Sequence, residues 1–143
     1  MLNIVKTAGL SQVSEDAKQI REAVFVQEQQ IDPMLEFDDQ DAKAIHFVGY
    51  VGPTVPVTTA RIHSQGNEWH VGRVATIKEM RGQGFGHQLM AEIINTAKLQ
   101  GIKSVNLGAQ VHASSFYERL GFSKVGEPFL EANIEHIEMK LFL

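Results

Sequence analysis

Cysteine is absent from the 143 residues, which removes disulfide scaffolds, thiolate metal sites and any mechanism that parks a group on an enzyme thiol. A reducing compartment fits that absence. Basic charge is also scarce: 13 Lys and Arg face 17 Asp and Glu, for a formal net charge of -4. No long-range pull toward nucleic acid or anionic lipid is expected, so any anionic ligand must be met by local features. Residues 1–18 hold no apolar run long enough for a signal-peptide core, and nothing approaches the roughly 18 apolar residues of a membrane span. The expectation is a cytoplasmic chain with neither a nucleic-acid nor a membrane partner. Repeats, low-complexity tracts and linkers are missing too, since the Gly-Pro-rich piece at 52–56 spans only a turn.

What remains is an ordinary globular mixture, 43% hydrophobic and 21% charged. A chain of this length has material for one core, so a single domain over residues 1–143 is expected. Ser14 with Glu15 and Asp16 reads as a capping signal, and Ala17, Ile20, Val24 and Phe25 follow at helical spacing, which predicts a helix to about Gln29. Ile31-Asp32-Pro33 stops it. Residues 36–41, Glu-Phe-Asp-Asp-Gln-Asp, are too charged for a core and read as an acidic loop. Residues 45–51 and 55–63 are β-rich runs joined by Gly52-Pro53-Thr54, a predicted hairpin, and 68–77 is a third strand. From Gly84 the period changes: Leu89, Met90, Ile93, Ile94 and Ala97 form one apolar stripe, and Gln100-Gly101 stops it. A short strand at 103–107, a short helix at 113–120 and a strand pair at 122–125 and 134–143 complete the chain. The order βα, three strands, then βαβ predicts an α/β (α+β) domain with a mixed sheet flanked by helices.

The informative segment runs from Val74 to His87. A strand enters a glycine-rich turn that opens a helix, which leaves unpaired backbone N–H groups and the positive end of the helix dipole aimed at one spot. That is a seat for phosphate, and Arg73, Lys78 and Arg81 make it locally basic. A Walker loop needs Lys-Ser or Lys-Thr after its last glycine, where this chain has His87-Gln88. A dinucleotide fingerprint needs a glycine three places after Gly84, where His87 stands.

Arg81-x-x-Gly84-x-Gly86 resembles the pyrophosphate-binding motif of the GCN5-related N-acetyltransferase (GNAT) superfamily. Arg73-Val74-Ala75-Thr76 is similar to the strand that precedes that motif and pairs with the pantetheine arm of acetyl-CoA. Downstream, Gln110-x-x-Ala113-x-x-Phe116-Tyr117-x-x-x-Gly121-Phe122 looks like the family's Asn-x-x-Ala-x-x-Phe-Tyr-x-x-x-Gly-Phe segment, with Gln110 in place of the usual Asn. Residues 24–29 and 37–41, followed by His46-Phe47-Val48, resemble the bacterial YjcF- and ElaA-like subgroup. The resemblance spans nearly the whole chain. It implies a central, mostly antiparallel mixed sheet of six to seven strands, acetyl-CoA as co-substrate, a primary amine on a small molecule as acceptor, and a homodimer as one assembly open to it. It places the cofactor on Val74, Ala75, Thr76, Arg81, Gly82, Gln83, Gly84, Phe85 and Gly86, with Gln110 and Phe116 beside the arm.

Acetyl transfer from a thioester to an amine needs a neutral amine, a polarised carbonyl and a route for thiolate release. The resemblance suggests Tyr117 as proton donor to the departing sulfur, its alternative being an aromatic that supports the core. Carbonyl polarisation falls to a backbone N–H near Val74 or Ala75, where the fourth and fifth strands are expected to splay. Strand parity puts His70, Gly72, Val74 and Thr76 on one face, and His70 lies eleven residues before Arg81, where several members carry a Glu or His that takes the amine's proton. Glu68, Glu36, Asp38, His112 and water are rival bases, and a strand-surface histidine is the plain alternative for His70. The acidic loop either attracts a cationic substrate or is merely solvated, and His46 reads as a core histidine. No His-Glu-x-x-His motif or carboxylate cluster supports a metal site. With no cysteine, direct transfer in a ternary complex is favoured over an acyl-enzyme; a CoA-binding sensor without transfer is the competing class.

Overall fold

The computed structural model describes Met1–Leu143. Seven strands form one sheet in the order β1-β2-β3-β4-β5-β7-β6, with β1 Leu2–Ala8, β2 Ile45–Val51, β3 Val55–Gln65, β4 Glu68–Thr76, β5 Ser104–Gln110, β6 Ser123–Glu131 and β7 Ile134–Phe142. Only β4 and β5 run parallel; every other neighbouring pair is antiparallel. The mixed, mostly antiparallel sheet expected from the sequence is therefore present.

The first helix, α1 (Gln12–Arg21), starts earlier than Ser14. Its cap is Ser11, whose hydroxyl accepts from the N–H groups of Val13 and Ser14, while Ser14 is the reciprocal member of the capping box. Ser14 Oγ accepts from the Ser11 N–H at 2.8 Å, so the expected cap residue is the box partner inside the first turn. The helix also changes character: residues Glu22–Glu28 form a π segment, with Gln29 N–H donating to Val24 carbonyl five residues back. The wider turn lets both Val24 and Phe25 bury next to each other. A short α2 (Pro33–Glu36), capped by Asp32, and a 3-10 turn Asp39–Lys43 follow.

The sheet carries an apolar cluster on each face. On one, α3 (Phe85–Leu99) lays Leu89, Met90, Ile93 and Ala97, all 0% exposed, against Phe47, Ile62, Trp69, Val71, Val105 and Leu107. On the other, Ala17 and Ile20 of α1, with Val24 and Phe25, cover Val48, Tyr50 and Ala75. A last helix, α4 (Ser114–Arg119), leads from β5 into β6 and packs Tyr117 on Phe122.

One irregularity in β4 decides the site. Arg61 pairs with Gly72 but Thr59 pairs with Ala75, so β4 carries one extra residue there. Arg73 takes φ 53° at this bulge, the left-handed region that a residue with a Cβ seldom occupies. The extra residue reverses the alternation: Trp69 and Val71 face the α3 cluster before the bulge, whereas Ala75 faces the α1 cluster after it. Val74 accordingly packs on the α3 side. The parity expectation that put His70, Gly72, Val74 and Thr76 on one face fails for this reason.

Candidate functional site

The sheet opens between its only parallel pair. Residues Glu68 to Val71 of β4 pair with Ser104 to Leu107 of β5, and the pairing stops there. Beyond Val71 that side of β4 has no strand partner, and a cleft of about 1010 Å³ fills the gap. It touches Val24 and Phe25 of the π segment, the β4 bulge, the glycine turn, α4 and the tip of the β6–β7 hairpin.

The glycine turn lies at one end. Gly84 is the N-cap of α3 with φ 81°, and Gly82 has φ 80°. A Cβ at either position would meet no atom within 4 Å, so the turn presents open space bounded by main-chain amides at a helix start. Gly86 differs: a Cβ there would stand 3.3 Å from Thr76 Oγ1 and 3.6 Å from Phe116 Cζ. Its missing side chain lets the first turn of α3 seat against β4 and α4. Gln83 beside it is exposed, with its amide 3.8 Å from Met80 Sδ, and Phe85 lines the cleft as the first helical residue.

Arg81 is spoken for within the chain. Its guanidinium donates to both Glu28 oxygens, at 2.7 and 2.6 Å, and its Nε to Thr76 carbonyl at 3.0 Å. The pair lowers the Glu28 carboxyl below its usual range, mainly through the Arg81 hydrogen bond. Arg81 thus braces the turn against the π segment while also lining the cleft, where its charge adds to that of the turn's amides. Gln110 reaches the same segment: its Nε2 donates to Gln29 Oε1 at 2.9 Å, a contact across 81 positions that nothing in the local sequence signals.

Tyr117 is 7% exposed and lines the cleft between Phe116 and Phe122, edge-on to both. Burial alone raises its hydroxyl pKa far above that of a free phenol, which keeps the proton on oxygen at neutral pH. Val74, Ala75 and Thr76 line the cleft from the β4 side, and Thr76 hydroxyl lies 2.9 Å from that of Thr58.

His70 also lines the cleft, on the α1 face of β4. The register sets Asn106 of β5 directly beside it and Lys140 of β7 beyond. His70 Nδ1 is hydrogen-bonded to Asn106 Oδ1, and Asn106 Nδ2 donates to Glu68 Oε1. Glu68 Oε2 accepts from Ser104 Oγ at 2.6 Å and pairs with Lys140 Nζ at 3.1 Å. Those two partners lower the Glu68 carboxyl, the serine hydrogen bond most. Asn106 was invisible to sequence reasoning because 36 positions separate it from His70; only the parallel pairing joins them.

Residues 36–41 are only in part a solvated acidic loop: Asp39 is exposed without an ion pair, whereas Glu36, Asp38 and Asp41 are bound by arginines. Glu36 and Asp41 are 3% and 5% exposed. Arg21 binds Glu36 at 2.8 Å and Asp41 at 2.9 Å, Arg61 binds Asp38 at 2.8 Å and Asp41 at 3.0 Å, and Arg73 binds Glu36 at 3.0 Å. Three arginines scattered at 21, 61 and 73 balance three of the four carboxylates within these six positions, which is why a local charge count misled. Burial raises the Glu36 carboxyl despite Arg21 and Arg73; burial also opposes ionisation of Asp41, but Arg21 and Arg61 outweigh it and leave Asp41 low. His46 is a core histidine as expected, 1% exposed, with Nε2 2.9 Å from Asp41 carbonyl. His112 lies on the cleft wall.

A sheet parted between its one parallel pair, above a helix start stripped of side chains, is the frame of an acyl-CoA N-acyltransferase. The family model described as "Acetyltransferase (GNAT) domain" matches residues 10–143. The chain belongs to the GNAT acetyltransferase family, whose fold binds acyl-CoA and transfers its acyl group. It is 35% identical over 127 residues to the protein ElaA of Escherichia coli (85% of this chain, 82% of ElaA). It is 32% identical over 126 residues to the N-acetyltransferase YjcF of Bacillus subtilis (87% of this chain, 89% of YjcF). Among solved structures, ElaA superposes with TM-score 0.85 at 32% identity, covering 98% of this chain and 99% of that one. An acyl-CoA N-acyltransferase from Pseudomonas aeruginosa gives 0.85 at 31% identity, again over 98% and 99%.

Proposed function

We propose that residues 1–143 act as one N-acetyltransferase domain that moves the acetyl group of acetyl-CoA to the primary amine of a small molecule, directly within a ternary complex. The observation that carries this is the continuity of the cleft: one cavity touches Gly82, Gly84 and Gly86 at one end and Tyr117, Val74 and His70 farther in. A diphosphate fits the turn because Gly82 and Gly84 leave space that a Cβ would fill. N–H groups of residues 82–86 bind it, while Thr76 and the edge of β4 align the arm and Phe116 and Gln110 border it.

His70 accepts the proton of the attacking amine, which near pKa ~10.4 is otherwise mostly protonated at neutral pH. The amine nitrogen bonds to the thioester carbonyl carbon, whose oxygen faces N–H groups at Val74 or Ala75. As the C–S bond breaks, Tyr117, which burial keeps protonated, gives its hydroxyl proton to sulfur and is re-protonated by the second proton leaving the attacking nitrogen. With Glu36 and Asp38 bound to arginines, His70 is the base the geometry favours.

Calorimetric titration with acetyl-CoA, followed by a thiol assay of CoA release with polyamines, amino acids, aminoglycosides and basic peptides, tests the reading. Absence of binding at high protein concentration overturns it. Tight binding with silence toward every amine supports the alternative, a sensor of acyl-CoA, which the Gln110–Gln29 contact across the slot favours.

A further inference from the structure

The polar row beside His70 has a consequence for its chemistry, and it rests on His70 being the base. Glu68 is the fixed point. Its carboxylate, held low by Ser104 and Lys140, is ionised at neutral pH and can only accept hydrogen bonds. It accepts from Asn106 through Nδ2, which orients the amide and leaves Oδ1 facing the imidazole. An amide oxygen cannot donate. The His70 nitrogen it meets, Nδ1, must therefore carry the hydrogen, and the lone pair of the neutral ring then resides on Nε2.

We propose that Asn106 and Glu68 are positioning residues that hold the His70 imidazole as its Nδ1–H tautomer, leaving Nε2 as the ring's basic nitrogen. Register makes the arrangement rigid. His70 and Asn106 are partners in the parallel ladder, and Asn106 is also the partner of Lys140 in the antiparallel one. Three adjacent strands thus supply the base, the amide and the counter-charge, and Asn106 is only 8% exposed. A histidine in water favours the Nε2–H tautomer, which would place the lone pair on the wrong nitrogen for a group held by its Nδ1 side. Other titratable and charged groups of this face include His63, opposite His70 on β3, Arg61 and His46 farther along it, and Glu36 and Asp38, both bound to Arg73.

The lock is read in the protein without substrate, by long-range nitrogen–proton NMR of the histidine rings above their titration range. The unaltered protein should show His70 as Nδ1–H. Asn106→Ala should shift it to the Nε2–H form, because the acceptor that meets Nδ1 is gone. With the amine that releases CoA fastest in the panel, Asn106→Ala should lower kcat roughly 10-fold with the KM for acetyl-CoA unchanged. Retention of the Nδ1–H form in Asn106→Ala overturns the proposal, as does an Nε2–H ring in the unaltered protein. If the lock is present but His70→Ala turns over at the original rate, the reading of His70 as base is what has failed, and the positioning role falls with it. Glu68→Gln, at a 30% exposed side chain, provides a second variant with little risk to folding and should loosen the same tautomer.

Discussion

Gly84→Val isolates the claim that bare amides hold the diphosphate. Two costs are separable. The first is backbone strain: Gly84 sits at φ 81°, and a side chain in the left-handed region costs about 1–2 kcal/mol, more toward the upper end for a β-branched residue. No atom lies within 4 Å of the added Cβ, so no clash inside the protein adds to it, and Tm should fall by roughly 6 °C. The second cost appears only with ligand. A phosphate oxygen must come to about 2.9 Å from an amide nitrogen, and the new methyl groups stand in that approach. Losing two hydrogen bonds to a charged group, at roughly 1.5 kcal/mol each, amounts to about 3 kcal/mol, or a Kd for acetyl-CoA raised roughly 100-fold. Gly101→Val is the matched control, because Gly101 lies just beyond the other end of α3 with φ 77° and equally open surroundings. Calorimetry and thermal melts on both variants should show similar Tm losses but a weakened Kd in Gly84→Val alone. Equal acetyl-CoA affinity in the two variants would refute the amide cradle.

Three other outcomes are expected. Tyr117→Phe, which keeps the edge-on packing with Phe116 and Phe122, should leave acetyl-CoA affinity within twofold and lower kcat at least 10-fold; a matching loss in binding would contradict a role confined to sulfur protonation. Arg21→Met, at a side chain 1% exposed that serves Glu36 and Asp41 together, should cost about 3 kcal/mol and roughly 10 °C in Tm, because both carboxylates stay buried with one partner fewer. For acid stability the sign follows from direction: Asp38 and Asp41 are lowered in the folded state, so what they contribute is complete above the unfolded value of about 3.9 and is lost as pH falls through the folded ones. Glu36 is raised and works the opposite way. Urea midpoints should therefore drop from pH 5 to pH 3, and Asp41→Asn, weaker at pH 7, should show a shallower drop; parallel curves would disprove the coupling.

Local pattern carried much of this protein. The stripe Leu89, Met90, Ile93 and Ala97 announced α3, and Gly82 and Gly84 announced its bare start, because helical period and φ > 0 are properties of a few consecutive residues. Each of the Gly84 and Phe116-Tyr117 motifs is contiguous and so was readable, but their joint role came from the family resemblance, and their contact, through Gly86 and Phe116, from the fold. Ser14 as cap failed by one box position, a choice between two serines that only geometry makes.

Tertiary structure decided everything that depends on which strands meet. The bulge at Arg73 reversed the faces of β4 beyond it, and a period-2 reading has no means to sense an inserted residue until the partner strand shows the slip. Arg21, Arg61 and Arg73 converged on residues 36–41 through three separate elements, drawing Glu36 and Asp41 of an acidic run into a buried ion network. Asn106 reached His70 through the sole parallel ladder, and Gln29 met Gln110 across the cleft. Charge balance and hydrogen-bond partners are properties of space, whereas periodicity and backbone freedom are properties of the chain; that division separates what could be read along the residues from what folding had to assemble.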